Sequence, residues 1–322
     1  PDSKLNYAEN ILSKNNDDPA IIFKSENNYK KVLSWKDLNL NVAQVSNWMK
    51  LQGLKKGDRV AAYLPNIPEA VTAYISTSVI GCIWSSCSPD FGTAGVIDRF
   101  SQIEPKILFI ADIYFYNGKK INVLERLNEI IKNVPSISKV IIVPYPGTNN
   151  KNENKSKIEI YNWNELINSK EKIEIKYEIM NFNDPLVILY SSGTTGKPKC
   201  ICHGIGGTLL QHNKELQIHS DVKENDRVFY FTTCGWMMWN WLVGALSAGA
   251  TILLFDGFPM YKRDDLLFEF ISEEKATLFG VSAKYIDILN NNKIDPKNNY
   301  DLKNLRTICS TGSPLSIDGF RY

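Results

Sequence analysis

Short apolar runs of strand length take turns with stretches of helical period along most of the chain, and this alternation limits the fold more tightly than any other feature. A strand, a covering helix and a second strand form a parallel unit, because the crossover carries the chain back along the face of the sheet. The clearest helix start is Ser34 with Asp37 three positions on, a reciprocal cap followed by Leu38, Val42, Val45 and Met49 on one 3.6-residue face, and Gly53 marks its end. After the Gly57-Asp58 turn, residues 59–64 read as a buried strand, Pro68 falls where a first helical turn tolerates it, and Gly81 closes that helix. The alternation continues with a strand near Ile83, a helix after Thr93, a strand at residues 107–111, a helix from about Ile121 and a strand at residues 139–143.

Residues 145–157 break the pattern with a polar run that has no apolar period, and read as a surface loop or insertion. Alternation resumes at residues 186–190 and passes through strands near Val228, Thr251, Thr277 and Arg306. The expected architecture is α/β: two doubly wound, mostly parallel sheets with flanking helices, packed together. The first unit is expected over residues 1–185, its early residues able to pack on the second, and the second over residues 186–322. Sites in such folds lie beyond the C-terminal ends of the strands.

Composition narrows the partners. At 322 residues, 43% hydrophobic and 22% charged, the chain can bury two cores, while a net charge of +2 builds no field for nucleic acid or a membrane surface. Any anion must be held locally. Six cysteines are too few for a disulfide framework and the apolar run through Ile252, Leu253 and Leu254 is too short to span a bilayer, so a reducing, cytoplasmic setting is expected. The opening Pro1-Asp2-Ser3-Lys4 carries no signal-peptide pattern, and the lack of an initial Met suggests missing upstream residues.

The chemistry concentrates in Tyr190-Ser191-Ser192-Gly193-Thr194-Thr195-Gly196-Lys197-Pro198-Lys199, directly after an apolar strand. Glycines free backbone N–H groups to close around an anion, hydroxyls add rotatable donors and lysines add charge, so the loop suits a triphosphate or pyrophosphate. A P-loop is disfavoured, since the Walker spacing is absent and Pro198 stands where a metal-binding hydroxyl belongs. Cys200, Cys202 and His203 have no second ligand pair nearby and read as packing groups, so no metal site is expected, and His212 and His219 read as surface residues.

In this order of residues the loop is similar to the signature of the adenylate-forming acyl-CoA synthetases, close to S-G-T-T-G-x-P-K-G, with Cys200 in place of the last glycine. Residues 51–60 and 64–70 also resemble early segments of that family, so the likeness covers the whole chain. The resemblance implies ATP, Mg2+ and CoA as partners in a two-step ligation, in which a carboxylate attacks the α-phosphorus and the CoA thiol then displaces AMP. It implies catalytic roles for Thr194, Thr195, Lys197 and Lys199, and phosphate cradling by Ser191, Ser192, Gly193 and Gly196. It sets Gly312, Ser313 and Pro314 along the adenine ring and Trp236 in a small acyl pocket, the alternative being a helix that buries Trp236, Met237 and Trp241 in the core. Gly118 and Lys119 keep only part of a loop for the CoA phosphate, with a plain surface turn as the alternative. Asp256-Gly257-Phe258-Pro259 resembles an acidic-Gly-x-Pro turn, followed by Met260 where a polar contact is usual.

Residues 5–10, 234–241 and 279–282 look more like the acetoacetate-activating members than those for acetate or propionate. Another short acid, or a nucleotide-binding module without catalysis, remains open as an alternative, and oligomeric state is not implied. The aromatic-Thr-Glu segment, the ribose-binding Asp and the C-terminal lysine of the family have no equivalents before Tyr322. The isolated chain is therefore expected to bind nucleotide weakly and to form little adenylate.

Overall fold

The computed structural model describes residues 2–148, 158–168, 173–191 and 196–322. In chain order, the strands of the two main sheets begin with β1 (Pro19–Ser25), β2 (Lys30–Ser34), β3 (Arg59–Tyr63), β4 (Ile83–Cys87), β5 (Ile107–Ala111), β6 (Lys139–Val143) and β7 (Glu159–Asn162). They continue with β8 (Pro185–Ser191), β9 (Lys199–Gly204), β10 (Arg227–Tyr230), β11 (Thr251–Asp256), β12 (Leu278–Ser282) and β13 (Thr307–Thr311). One sheet has the order β7-β6-β5-β3-β4-β8-β9 and the other β13-β12-β10-β11-β1-β2. Every pairing is parallel except β8 with β9 and β1 with β2, each a reversal at a sheet edge. This is the expected α/β architecture.

Local signals account for the elements. In the helix Trp35–Leu51, Ser34 Oγ accepts from the Asp37 N–H at 3.0 Å while Asp37 caps the Ser34 N–H, and Leu38, Val42, Val45 and Met49 are fully buried. The helix Pro68–Val79 is buried at all its residues, and most of its side chains are small or apolar, as such a position needs. Its Thr and Ser hydroxyls bond within the helix: Thr72 donates to the Pro68 carbonyl, Ser76 to Thr72, Thr77 to Ala73 and Ser78 to Ile75. One buried cluster runs from Tyr7 through Trp84 to Leu278 and joins both sheets, while a smaller one, around Phe229, Phe270 and Phe279, lies beyond the second sheet. Among the described residues no helix is long and apolar enough to cross a membrane.

Three expectations need correction. A division at residues 185 and 186 does not separate the sheets, because β8 pairs with β4 through Val187 and Trp84 and β9 folds back on β8, so the first sheet keeps the chain to Gly204. The N-terminal β1 and β2 complete the second sheet, so early residues do pack on it. The helix expected from about Ile121 is instead a hairpin of Ile113–Tyr116 with Lys119–Asn122, followed by a short 3-10 turn and the helix Leu127–Asn133. Asn117 and Gly118 both have positive φ, 52° and 75°, which matches the right-handed twist of two tightly joined strands. Tyr145, placed in a surface loop, is buried, because its hydroxyl has a partner inside the molecule; residues 149–157 of that segment lie outside the described residues.

Candidate functional site

The C-terminal ends of the parallel strands from both sheets meet in one region, and Asn66, just after β3, joins them. Its backbone N–H donates to Asp256 Oδ1 at 3.0 Å, and its amide nitrogen donates to the carbonyls of Thr232 and Phe255, both at 3.3 Å. Ser86 at the end of β4 donates to the Cys234 carbonyl at 2.6 Å, tying the segment after β10 to the first sheet.

The glycine- and hydroxyl-rich turn connects β8 to β9 at this same end. Its central residues, Ser192, Gly193, Thr194 and Thr195, lie outside the described residues. On either side, Ser191 pairs with Lys199 and Tyr190 with Cys200, so the turn is a hairpin between antiparallel strands. Gly196 has φ of +138°, a conformation that L side chains rarely adopt, and a Cβ there would meet nothing within 4 Å. Lys197 and Lys199 are exposed and make no ion pair with a described carboxylate. Cys200 is exposed and makes its ladder pair with Tyr190, so the backbone accommodates it in place of glycine.

Arg99, absent from the sequence reading, stands beside this turn. Its guanidinium lies 4.4 Å from the Phe91 ring centroid and 5.6 Å from that of Tyr190, and it forms no ion pair with a described carboxylate. The Tyr190 hydroxyl accepts from Ser85 at 3.0 Å and donates to the Arg99 carbonyl at 3.3 Å, fixing the strand end from which the turn departs. No local pattern marks Arg99, because its aromatic neighbours come from two other elements.

Beyond β4, β10 and β11 lies a cavity of about 200 Å3. Asp256 lines it, along with Asp90, Tyr114, Tyr116, Thr233 and Phe258. Asp256 is buried and accepts from Asn66 N–H and from the Tyr145 hydroxyl at 2.9 Å. Burial pushes its carboxyl up to about 7, the Asn66 and Tyr145 hydrogen bonds pull it down, and the charges of Asp90 and Glu26 push it up. Glu26 is also buried and accepts from the N–H groups of Asn117 (2.9 Å), Gly118 (2.8 Å) and Phe258 (2.7 Å). The Gly118 N–H is thus committed to Glu26, while the Lys119 side chain stands exposed. Met260 packs on the smaller hydrophobic cluster.

The tryptophan run divides. Trp236 holds the extended N-cap position of the helix Met237–Gly244 and is 58% exposed, whereas Trp239 and Trp241 are buried and Met237 is partly buried against the core. The all-core alternative for Trp236 therefore does not hold: an N-cap residue leaves the helix axis before the apolar face begins. Gly235 packs so closely that a Cβ would lie 2.9 Å from Phe91, which draws the Trp236 segment onto the loop after β4.

Gly312 follows β13 with φ of +92° and open space around it, and Ser313 and Pro314 line an apolar groove of about 960 Å3 with Phe279, Leu289 and Leu305. The turn is exposed, and Tyr230 at the end of β10 meets Thr311 through a 2.9 Å hydroxyl contact.

Two further expectations are corrected. Cys200 and Cys202 are exposed on the edge strand β9 rather than packed, since β9 has no neighbour on its outer side among the described residues. His212 is buried, 1% exposed, with no hydrogen-bond partner for either nitrogen among the described residues, because the helix Met237–Gly244 closes on it through Gly244. Burial, then the charge of His203, lowers its pKa from 6.5 to about 4. No group of three His, Cys, Asp or Glu that could hold a metal occurs among the described residues.

Comparison with known proteins bears on this geometry. Residues 8–321 match the family model described as AMP-binding enzyme. The chain is 43% identical over its whole length to the acetoacetyl-coenzyme A synthetase of Rhizobium meliloti (strain 1021), and 41% identical over 99% of its length to the acetoacetyl-CoA synthetase of Gallus gallus. Each match covers 49% of the relative. The solved acetoacetyl-CoA synthetase from Streptomyces lividans is similar with a TM-score of 0.93 at 39% identity, over 99% of this chain and 48% of that one. The chain thus spans about half the length of the relatives it matches.

Proposed function

Because the chain belongs to the AMP-binding enzyme family, we propose that the protein is an ATP-dependent acid–thiol ligase that activates acetoacetate as acetoacetyl-AMP and passes the acyl group to CoA. The acid is already anionic at neutral pH, so attack on the α-phosphorus needs no general base. It needs a place where two anions can meet, with fixed donors and cations aimed at the charge that builds on the departing pyrophosphate.

In this reading Lys197 and Lys199 supply the charge, Thr194 and Thr195 the hydroxyl donors, and Ser191, Ser192, Gly193 and Gly196 the cradle. The carrying observation is that Lys197 and Lys199 stand exposed beside the end of a parallel strand with no described carboxylate to neutralise them. The nucleotide enters as its magnesium complex, and no residue of this chain is assigned to the ion. Gly312, Ser313 and Pro314 border the adenine, Trp236 limits the acyl group and Lys119 contacts a CoA phosphate. Free thiols at the exposed Cys200 and Cys202 suit a reducing, cytoplasmic setting.

Acid-dependent exchange of pyrophosphate into ATP, measured for the full-length protein with acetoacetate, acetate and propionate, tests the reading. Acetoacetate is expected to exceed the others in kcat/KM by about tenfold or more. A strong preference for acetate overturns the choice of acid, and no exchange with any acid overturns the ligase reading.

A further inference from the structure

We propose that Asp256 is the catalytic proton acceptor for the thiol in the second, acyl-transfer step. The inference rests on the ligase reading and adds to it a residue for the one step in which a proton must be removed.

The geometry carries the assignment. Asp256 ends β11 and lines the cavity of about 200 Å3 where the two sheets meet. Both of its recorded hydrogen-bond partners are donors: the Asn66 N–H on Oδ1 and the Tyr145 O–H on Oδ2. The Asn66 N–H can only donate and so favours the carboxylate form, and each oxygen keeps a lone pair for a group entering the cavity. Tyr114, Thr233 and Phe258 are among its walls.

The charged and titratable groups acting on Asp256 agree. Glu26 follows β1, Asp90 follows β4, and Tyr145 follows β6. Tyr114 on the hairpin and Cys234 after β10 feel its charge in turn. All of these are acids. Arg126, which acts on Tyr114, gives its own hydrogen bonds to the Tyr63 hydroxyl and to the carbonyls of Pro89 and Phe91. Burial leaves the Asp256 carboxyl titrating at about 7, so near neutral pH it exists in both forms, as a proton acceptor for a thiol should.

In the step, the S–H bond breaks and its proton passes to a carboxylate oxygen of Asp256. The sulfur pair forms the new C–S bond to the acyl carbon, the C–O bond to the phosphate breaks, and AMP leaves with those electrons.

The test separates the half-reactions in the full-length protein. Pyrophosphate exchange reports adenylation, and single-turnover transfer from preformed acyl-adenylate to CoA, followed from pH 6 to 9, reports the second step. In Asp256→Asn, whose amide oxygen can still accept from Asn66, the ratio of transfer to exchange rates is expected to fall about 100-fold or more. In the wild type, transfer is expected to rise through a limb near pH 7, and that limb is lost in the variant. A ratio within a few-fold of wild type, or a wild-type profile with no limb near pH 7, overturns the role of Asp256. Because the second result needs no variant, it decides even if Asp256→Asn fails to fold. Absence of exchange in the wild type removes the ligase reading, and this assignment with it.

Discussion

The indole Nε1 of Trp239 donates to Oδ1 of Asn66 at 2.9 Å across the junction of the two sheets, and both side chains are buried. Asn66 also binds Asp256 and the carbonyls of Thr232 and Phe255, so one side chain and its N–H serve the ends of β3, β10 and β11. Asn66→Ala leaves the indole N–H and the two carbonyls short of partners in a dry interior. Urea denaturation is expected to show a loss of about 2–4 kcal/mol, and Trp239→Phe, which removes the donor and leaves a void where part of the buried ring stood, a loss of comparable size. Unchanged midpoints in both would contradict the role of Asn66 as the clasp.

His212 makes stability depend on acid. Its folded pKa of about 4 lies below the ordinary 6.5, so the unfolded chain takes up the proton first as pH falls. The stability is fully present above pH 6.5, is lost as pH falls toward 4 and changes no further below that, a total of about 3 kcal/mol. Asp256 has the opposite sign: its raised pKa means that stability is lost as pH rises from 3.8 toward 7. The informative quantity is therefore the difference between wild type and His212→Leu across that range. The variant is expected to gain relative stability as pH drops, and a constant difference would show that His212 is already paired or protonated.

Trp236 offers a test of acyl selection that leaves the core alone. At 58% exposure its removal is expected to shift Tm little, whereas Trp236→Gly opens room for longer acids. Relative kcat/KM for a six-carbon over a four-carbon acid is expected to rise by about 10- to 100-fold. An unchanged preference would move the acyl pocket elsewhere.

Much of the fold was legible because buried strands and helix caps are local signals. The strands at residues 107–111 and 139–143 were read with the bounds observed, and Ser34 and Asp37 marked a helix start that the structure reproduces. Asn117-Gly118 is a strong turn dipeptide for the hairpin at residues 113–122, but its second strand is only four residues long and runs straight into helical turns, so the sequence reads there as a helix from about Ile121. The assignment of β8 and β9 to the first sheet was not readable, since an apolar run does not name its neighbours. The loop of Ser191, Gly196, Lys197 and Lys199 stood out by composition, whereas the cavity around Asp256 did not. Its partners Asn66 and Tyr145 are 190 and 111 residues away along the chain, and only the folded sheets bring them together.

The central claim is that the turn after Tyr190 grips the leaving pyrophosphate of a nucleotide. It is tested most directly by acetoacetate-dependent pyrophosphate exchange in full-length protein carrying Lys197→Met and Lys199→Met. Both lysines are exposed, so folding stability is expected to stay within about 0.5 kcal/mol of wild type. Meanwhile kcat/KM for MgATP is expected to fall by about 100- to 1,000-fold. Exchange within two- to threefold of wild type, in a variant of unchanged stability, would contradict the claim.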